Sequence, residues 1–317
     1  MKNLIISGPC SLEGQYQFEE TLKKLIQSGI KDIRAGIWKP RTKPGSFEGI
    51  GLDGLKIIKD LKYKYDFTSY IEVAEPEHVF LAERYLIDSF WIGSRTTGNP
   101  FAVQAIANCV KDKNKNIFIK NPMNYDVDLW AGAIMRFKDK GFKNISVIFR
   151  GFNQESCFRN LPAFEAIDEL FNVLGYKLPV VIDVSHISGD RALIPQLIAK
   201  SKSLNYNNFM IESHINPDLA LTDAAQQVKP ESVIDLLKSK NLLDYERTII
   251  DSIDQKIISL LEKRIKSVRL IGAIKKTSSI KNLDENRKKI VLKKYGKFKE
   301  VYKAIHDYCL NFQNNLL

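Results

Sequence analysis

The feature that most constrains this 317-residue chain is a repeated alternation of short apolar runs with longer segments of helical periodicity. The runs are rich in β-branched residues, which is typical of buried strands, and the segments between them have the 3.6-residue spacing of a helix. The predicted strands are Leu4–Ser7, Asp32–Ile37, Ser69–Ala74, Phe90–Gly93, Asn116–Ile119, Ile145–Phe149, Pro179–Val184 and Asn208–Ile211. Strand–helix units repeated in this way over about 240 residues predict an α/β fold, a closed (β/α)8 TIM barrel.

The pattern changes after Lys240, where strand-like runs stop and only helical periodicity remains. We therefore expect two domains, a barrel at residues 1–238 and an all-α helical domain at residues 239–317. The predicted helices of the second domain are Leu243–Lys276, Glu285–Tyr295 and Lys299–Asn314. Three helices with so little chain cannot enclose a core alone, and we therefore expect this domain to form a homodimer.

Basic residues concentrate in the helical domain. From residue 241 to 317 there are 17 Lys and Arg against 9 Asp and Glu, which is +8 of the total net charge of +11. The aromatic residues there fall at core-like helical spacing, so we expect no nucleic-acid partner.

No apolar run reaches the roughly 18–20 residues of a membrane span, and no signal-peptide pattern follows Met1. We therefore expect no association with a membrane. The four cysteines form no CxxC pair and no dense framework, which is typical of a protein in a reducing compartment. These features predict a cytoplasmic location.

Residues with metal-binding side chains stand at three predicted strand ends, which is where active sites of this barrel class lie. Cys10, His186 and Glu212 follow strands 1, 7 and 8, and Asp223 comes just beyond. One sulfur, one nitrogen and two oxygen donors suit a divalent transition metal, with Mn²⁺ expected and Fe²⁺, Co²⁺ or Zn²⁺ as alternatives. Taken singly, each could instead be a core thiol, a hydrogen-bonding imidazole or a helix cap. Only barrel closure explains the four together.

A second group at the strand ends consists of cations. They are Arg34, Lys39, Arg41, Arg95, Lys120 and Arg150. Crowded like charges repel unless anions neutralise them, and arginine is suited to bidentate contacts with phosphate and carboxylate groups. Solvated surface cations would not favour strand ends over the intervening helices, so we expect a multiply anionic substrate.

Several motifs within residues 4–230 resemble the family of 3-deoxy-7-phosphoheptulonate synthases. They are GPCS (Gly8–Ser11), RAGIWKPRT (Arg34–Thr42), IGSRTT (Ile92–Thr97), IKNP (Ile119–Pro122), FRGF (Phe149–Phe152), RNLP (Arg159–Pro162), IDVSH (Ile182–His186), MIESH (Met210–His214) and LTDAAQQ (Leu221–Gln227). The resemblance implies a transferase that condenses phosphoenolpyruvate with erythrose 4-phosphate, the entry step of the shikimate pathway to aromatic amino acids.

The resemblance also implies a role for individual residues. Phosphoenolpyruvate would be held by Arg34, Lys39, Arg95, Lys120 and Arg150, and erythrose 4-phosphate by Lys39, Pro40, Arg41, Thr42 and Asp183. The candidate catalytic residues are Lys39, Lys120 and Glu72, with Lys120 or a water held by Glu72 as the proton relay. The sister family of 3-deoxy-8-phosphooctulonate synthases differs where this chain reads KPRT, and it is the alternative within this fold.

The helical domain resembles a chorismate mutase at Glu246–Arg264, Ile271–Lys276 and Ile305–Gln313. The resemblance implies isomerisation of chorismate to prephenate. The implied contacts are Arg247, Arg264 and Arg287 to carboxylates, Lys275 and Gln313 to the ether oxygen, and Asp284 to the hydroxyl group. Arg264 and Lys275, eleven residues apart, fall on one helix face.

Three departures from the mutase pattern favour a competing hypothesis. Lys288 replaces a frequent glutamate, Cys309 replaces a serine, and the interval Arg287–Ile305 is short. The alternative is therefore a synthase whose helical domain serves only dimerisation or regulation.

Overall fold

The computed structural model describes residues 3–40, 45–277, 290, 293 and 295–314. Within them, eight parallel strands pair in chain order, and β1 pairs with β8 to close a barrel. The strands are β1 (Ile5–Gly8), β2 (Asp32–Arg34), β3 (Thr68–Val73), β4 (Ser89–Ile92), β5 (Ile117–Lys120), β6 (Ile145–Phe149), β7 (Val180–Asp183) and β8 (Phe209–Glu212). The closed barrel confirms the predicted fold class.

Helices follow the strands on the outside of the barrel. They are α1 (Gln15–Gln27), α2 (Leu52–Lys62), α3 (Pro76–Arg84), α4 (Ser94–Thr97), α5 (Pro100–Cys109), α6 (Val127–Asp139), α7 (Glu165–Leu174), α8 (Val184–Ser188), α9 (Ile194–Ser203) and α10 (Val233–Leu236). Side-chain caps fix several starts: Asn99 accepts the N–H groups of Phe101 and Ala102, and Asp126 accepts that of Leu129. No helix among the described residues is long and apolar enough to cross a membrane.

An apolar cluster fills the inside of the barrel. It consists of Ile6, Tyr70, Trp91, Phe118, Ile148, Val181 and Met210. Side chains two residues apart on a strand point to the same side of the sheet. The next inward-facing position therefore lies two residues closer to the carboxyl end of each strand. Those positions hold Glu72, Lys120, Arg150, Asp183 and Glu212. The strands therefore place a layer of polar side chains next to the apolar cluster, at the carboxyl ends of the strands.

Two glycines let the ends of β1 and β2 approach closely. A Cβ on Gly8, whose φ is +145°, would lie 2.2 Å from the carbonyl oxygen of Arg34, and one on Gly36 would lie 1.9 Å from that of Cys10. Any larger residue would push the two segments apart. The observed β2 ends at Arg34, before the predicted end at Ile37. The close approach at Gly36 brings Cys10 beside the segment that follows β2.

The chain divides into two compact units, Met1–Glu246 and Arg247–Leu317. The helical region begins at the end of the first unit: α11 (Leu242–Thr277) and α12 (Lys299–Asn314) match the first and last predicted helices. The predicted helix Glu285–Tyr295 lies almost wholly outside the described residues. On α11, Arg264, Gly272 and Lys275 share a shielded face.

Candidate active site and metal centre

The predicted metal ligands lie together at the carboxyl ends of the strands. Ligand atoms of Cys10, Glu212 and Asp223 all lie within 4.8 Å of one another. The Cys10 Sγ is 3.3 Å from Asp223 Oδ2, and Nε2 of His186 is 3.8 Å from Glu212 Oε1. The thiol and the two carboxylates, from distant parts of the sequence, therefore lie together, and the imidazole of His186 faces one of the carboxylates.

The donor set fits a divalent transition metal. Glu212 is fully buried, and its Oε1 lies 2.9 Å from Arg34 Nη2 yet accepts no hydrogen bond from the described residues. A buried carboxylate oxygen without a hydrogen bond is costly, and coordination of a cation would satisfy it. Sulfur, nitrogen and oxygen donors at such spacing suit Mn²⁺, Fe²⁺, Co²⁺ or Zn²⁺.

The electrostatics of the centre hold the thiol protonated while the acids stay ionised. Burial raises the pKa of Cys10 to about 12, and the Glu212 carboxylate adds to the effect against the opposing charge of Lys39. Burial alone would raise the pKa of Asp223 as well, but His186 and Arg159 hold it below its ordinary value. A metal ion held by Cys10 would bind the thiolate form, so its binding would displace the thiol proton.

Arg159 and Gln226 connect the two acids, although neither was predicted as a functional residue. Nη1 of Arg159 donates to Asp223 Oδ1 at 3.0 Å and to Gln226 Oε1 at 2.7 Å, and Gln226 Nε2 donates to Glu212 Oε2 at 2.6 Å. Asp223 has a φ of +48°, which is unfavourable for a residue with a side chain, so these contacts restrain a strained position. The only sequence signal was their place in the RNLP and LTDAAQQ motifs.

A cavity of about 130 Å³ opens beside the candidate metal ligands His186 and Asp223. It is lined by Lys39, Pro40, Glu72, Ser94, Arg95, Lys120, Met123, Arg150, Arg159, His186 and Asp223. A larger cavity of about 800 Å³ lies among residues of α7, α9 and Tyr245, and it contains none of the predicted site residues. The cavity at the strand ends therefore brings together most of the predicted barrel site.

Arg34 is the most deeply buried cation of this site, with 1% exposure. Its Nη2 pairs with Glu212, but Nε and Nη1 are buried and find no acceptor among the described residues. Its guanidinium carbon also lies 5.2 Å from the ring centre of Trp91. Two unsatisfied buried N–H groups in a fixed fork are suited to an anionic ligand.

Asp183 fixes the orientation of two neighbouring residues. Its Oδ2 lies 2.8 Å from Lys120 Nζ and 3.0 Å from His186 Nδ1, and its Oδ1 caps α8 through the His186 N–H. Burial alone would raise the pKa of Asp183, but the charges of His186 and Lys120 hold it well below its ordinary value. The Asp183 contact leaves the other ring nitrogen of His186 directed toward Glu212.

Three further predicted residues stand around the cavity. Arg150 donates to Asn160 Oδ1 at 3.0 Å, and burial lowers its pKa to about 10 although Asp183 opposes the shift. Glu72 accepts a hydrogen bond from Trp91 Nε1 at 2.8 Å. Arg95 lies at the exposed rim.

In the helical region, Arg264 and Lys275 are both half-buried on one face of α11. Nη1 of Arg264 is buried and has no hydrogen-bond partner among the described residues. Arg247 is exposed near the start of α11, and Gln313 belongs to α12. The predicted contacts Arg41, Thr42, Asp284 and Arg287, and the departure at Lys288, lie outside the described residues.

Two family models match this chain. Residues 1–246 match the model described as the DAHP synthetase I family, and residues 246–314 match the model described as chorismate mutase type II. The matches meet at the junction between the two compact units. They confirm both resemblances drawn from the sequence motifs.

Three similar proteins are aldolases of two kinds. The phospho-2-dehydro-3-deoxyheptonate aldolase of Thermotoga maritima is 28% identical over 76% of this chain and 70% of its own length. The 2-dehydro-3-deoxyphosphooctonate aldolases of a Synechococcus species and of Protochlamydia amoebophila are 24% and 27% identical, over 71% and 70% of this chain and 82% and 84% of their lengths.

Two solved structures of similar fold come from Thermotoga maritima. The crystal structure of DAHP synthase from Thermotoga maritima has a TM-score of 0.67 and 26% identity, covering 78% of this chain and 71% of that one. A truncated 3-deoxy-D-arabino-heptulosonate 7-phosphate synthase from that organism has a TM-score of 0.64 over 78% of this chain and 88% of its own; at 23% identity it supports the fold alone.

Proposed function

Because this chain belongs to the DAHP synthetase I family, we propose that its barrel condenses phosphoenolpyruvate with erythrose 4-phosphate, giving 3-deoxy-D-arabino-heptulosonate 7-phosphate and phosphate. The chain is a bifunctional enzyme, a transferase joined to a chorismate mutase type II domain at residues 246–314. The observation that carries the barrel assignment is Arg34, whose two unsatisfied buried N–H groups lie next to the Cys10, Glu212 and Asp223 cluster.

We assign the cations of the site to phosphoenolpyruvate. They are Arg34, Lys39, Arg95, Lys120 and Arg150. Carboxylate and phosphate oxygens would accept the N–H groups that Arg34 leaves unsatisfied, and they would neutralise the crowded positive charge. The bound substrate is thereby fixed in one orientation, which presents its C3 carbon to the second substrate.

Cys10, His186, Glu212 and Asp223 would hold the divalent metal ion, for which we favour Mn²⁺. When bound, the metal supplies Lewis-acid polarisation of the aldehyde oxygen of erythrose 4-phosphate. Asp183 holds Nδ1 of His186, so that Nε2 remains directed to the centre. Arg159 restrains Asp223 in its left-handed conformation.

Lys39, Pro40, Arg41, Thr42 and Asp183 are assigned to the sugar phosphate. C3 of phosphoenolpyruvate attacks the aldehyde carbon, water adds at C2, and phosphate leaves. Lys120 lies at the cavity 2.8 Å from Asp183 and is positioned to move a proton, with a water near Glu72 as the other route.

The choice of sugar is the main point to test, because phosphooctonate aldolases are among the similar proteins. The purified chain should be assayed with erythrose 4-phosphate and with arabinose 5-phosphate, before and after chelation. We expect turnover of erythrose 4-phosphate only, lost on metal removal and restored by Mn²⁺. Turnover of arabinose 5-phosphate alone would show the other specificity, and full activity after exhaustive chelation would contradict the metal assignment.

For the helical domain, we propose that Arg264 and Arg247, with Arg287, bind the carboxylates of chorismate, and that Lys275 and Gln313 bind its ether oxygen. Asp284 is assigned to the hydroxyl group. The rearrangement needs only binding and hydrogen-bond donation, so a rigid cationic clamp suffices. The buried, unsatisfied Nη1 of Arg264 supports this assignment.

We also propose that the helical domain forms a homodimer. Every residue from Ile253 to Leu260 on α11 is exposed, and Ile253, Ile257 and Leu260 are 50%, 47% and 62% exposed. Isoleucine and leucine at this helical spacing are typical of a buried stripe. A second copy of the chain would cover it, as the shortness of the domain predicts.

The domain limits and location are proposals as well. We place the barrel enzyme at residues 1–238 and the mutase-like domain at 239–317, with α11 beginning at Leu242. The cysteines among the described residues are free thiols, which supports our proposal of a cytoplasmic location.

A further inference from the structure

His78 and Trp38 form an aromatic stack beside the proposed sugar-phosphate site. Their ring centres are 3.8 Å apart and their planes differ by 6°. Trp38 lies in the segment after β2, immediately before Lys39, whereas His78 lies in the first turns of α3. The contact therefore joins the connection between β2 and α2 to the first turn of α3.

The histidine ring is held by both of its nitrogens. Nδ1 accepts the backbone N–H of Ala74 at 3.3 Å, and Nε2 lies 3.1 Å from Glu75 Oε1. The side chain is 13% exposed. His78 therefore offers Trp38 a flat surface that is fixed to the end of β3 and the start of α3.

The segment that carries Trp38 is folded back on itself. The Lys39 N–H donates to the carbonyl of Glu48 at 2.9 Å, and the Gly51 N–H donates to that of Ile37 at 3.2 Å. A Cβ on Gly49 would lie 1.9 Å from the Ile37 carbonyl oxygen, so the two limbs are as close as glycine permits. Any shift of Trp38 must therefore move the residues beside it.

Those neighbouring residues reach the site. Lys39 and Pro40 line the cavity, and Lys39 Nζ lies 3.1 Å from Cys10 Sγ. Resting on the proposed function, we propose that His78 is a positioning residue that holds Trp38 and thereby presents Lys39 and Pro40 to the sugar phosphate. It touches neither substrate, and it acts through the indole ring alone.

Two substitutions separate the stack from the hydrogen bonds of His78. His78→Asn keeps a polar group that can accept the Ala74 N–H but removes the ring, whereas His78→Phe keeps a ring and removes the hydrogen bonds. Because the aromatic contact is lost only in the first, H78N should raise KM for erythrose 4-phosphate about tenfold. The KM for phosphoenolpyruvate should stay within about twofold, and H78F should behave as the wild type.

Fluorescence gives a reading that does not depend on turnover. Trp91 and Trp130 are 1% and 0% exposed, so acrylamide quenching reports mainly on Trp38. Quenching should increase in H78N and return to the wild-type level in H78F. Phe80→Ala, a change at a 58%-exposed residue of the same helix, is the matched control and should alter neither measurement.

The two proposals fail differently. If the wild type uses arabinose 5-phosphate instead, the proposed function is wrong, and KM for that sugar replaces KM for erythrose 4-phosphate in the comparison. Our inference is overturned if H78N keeps the wild-type KM for the sugar phosphate, if both substrates are affected alike, or if H78F fails to restore binding and shielding of Trp38.

Discussion

The barrel and the helical region bury their apolar residues to very different extents. Inside the barrel, Trp91, Ile148 and Val181 are at most 1% exposed. The cations above them contact neighbouring polar side chains, such as Lys120 with Asp183. On α11, Ile253 and Leu260 are 50% and 62% exposed. The barrel closes its own core, whereas α11 leaves these apolar side chains exposed.

This difference predicts how the two proposed activities depend on the oligomeric state of the protein. The described residues of the barrel site come from the strands, or from the segments that follow them, of a barrel that closes within a single copy. The proposed mutase site lies in a domain for which a second copy would complete the core. The synthase should therefore be indifferent to dilution, and the mutase should lose activity as the dimer dissociates.

The largest expected effect separates the two activities. Cys10→Ala removes the proposed sulfur ligand and should lower synthase kcat/KM about a thousandfold or more, since the metal contributes several kcal/mol. Chorismate turnover should not change. Metal content, measured after dialysis, should fall in parallel, and Cys109→Ala, at an exposed cysteine, is the control. Retention of metal and synthase activity in C10A would contradict the centre described above.

Arg264→Ala tests the proposed mutase site in the helical domain. Loss of a half-buried guanidinium from a carboxylate contact should lower mutase kcat/KM about a hundredfold and leave the synthase unchanged. Lys266→Ala, two residues away on the exposed side, provides the control. A wild-type chain without any mutase activity would instead support a domain kept for dimerisation or regulation.

The exposed stripe of α11 gives the next effect. Ile257→Lys places a charge in the proposed interface, and in a two-fold dimer it acts twice, so dimerisation should weaken by about 2 kcal/mol, or about thirtyfold. Sedimentation equilibrium measures this shift, and Ile257→Leu should preserve the wild-type constant. If I257K sediments as the wild type does, the interface lies elsewhere.

Much of the barrel and its site could be predicted, because the periodicity of apolar residues locates the strands and helices and the strand ends locate the site. Inward-facing residues alternate along each strand, so the polar positions above the apolar cluster follow from the sequence once the strands are placed. The resemblance supplied the roles. The same reasoning located α11, whose observed span Leu242–Thr277 differs from the prediction by one residue at each end.

The residues that were missed act through other residues. Arg159 and Gln226 connect Asp223 with Glu212, and this connection depends on how two loops meet. His78 and Trp38 lie forty positions apart, and only the folded chain stacks their rings. Sequence periodicity describes single elements, so contacts between loops from different strand ends are not contained in it.

The smallest effect concerns the stability of the barrel alone. Oδ2 of Asp88 accepts the N–H and the hydroxyl of Ser69 at 2.6 and 2.8 Å and pairs with Lys62. Burial alone would raise the pKa of Asp88, but these partners hold it below its ordinary value of 3.8. Stability from a carboxyl group with a lowered pKa is present above that ordinary value and is lost as the pH falls through the folded value.

Asp88→Asn should therefore destabilise the barrel by about 1 kcal/mol at pH 7, a modest value because the side chain is 39% exposed. The difference from wild type should shrink as the pH falls below about 4, where first the unfolded state and then, at lower pH, the folded state binds the proton. Calorimetry at several protein concentrations measures it, because only the transition of the helical region should depend on concentration. A D88N effect that persists at low pH would contradict a stabilising role of the ionised carboxylate. A barrel transition that shifts with dilution would show that the barrel is not independent of the dimer.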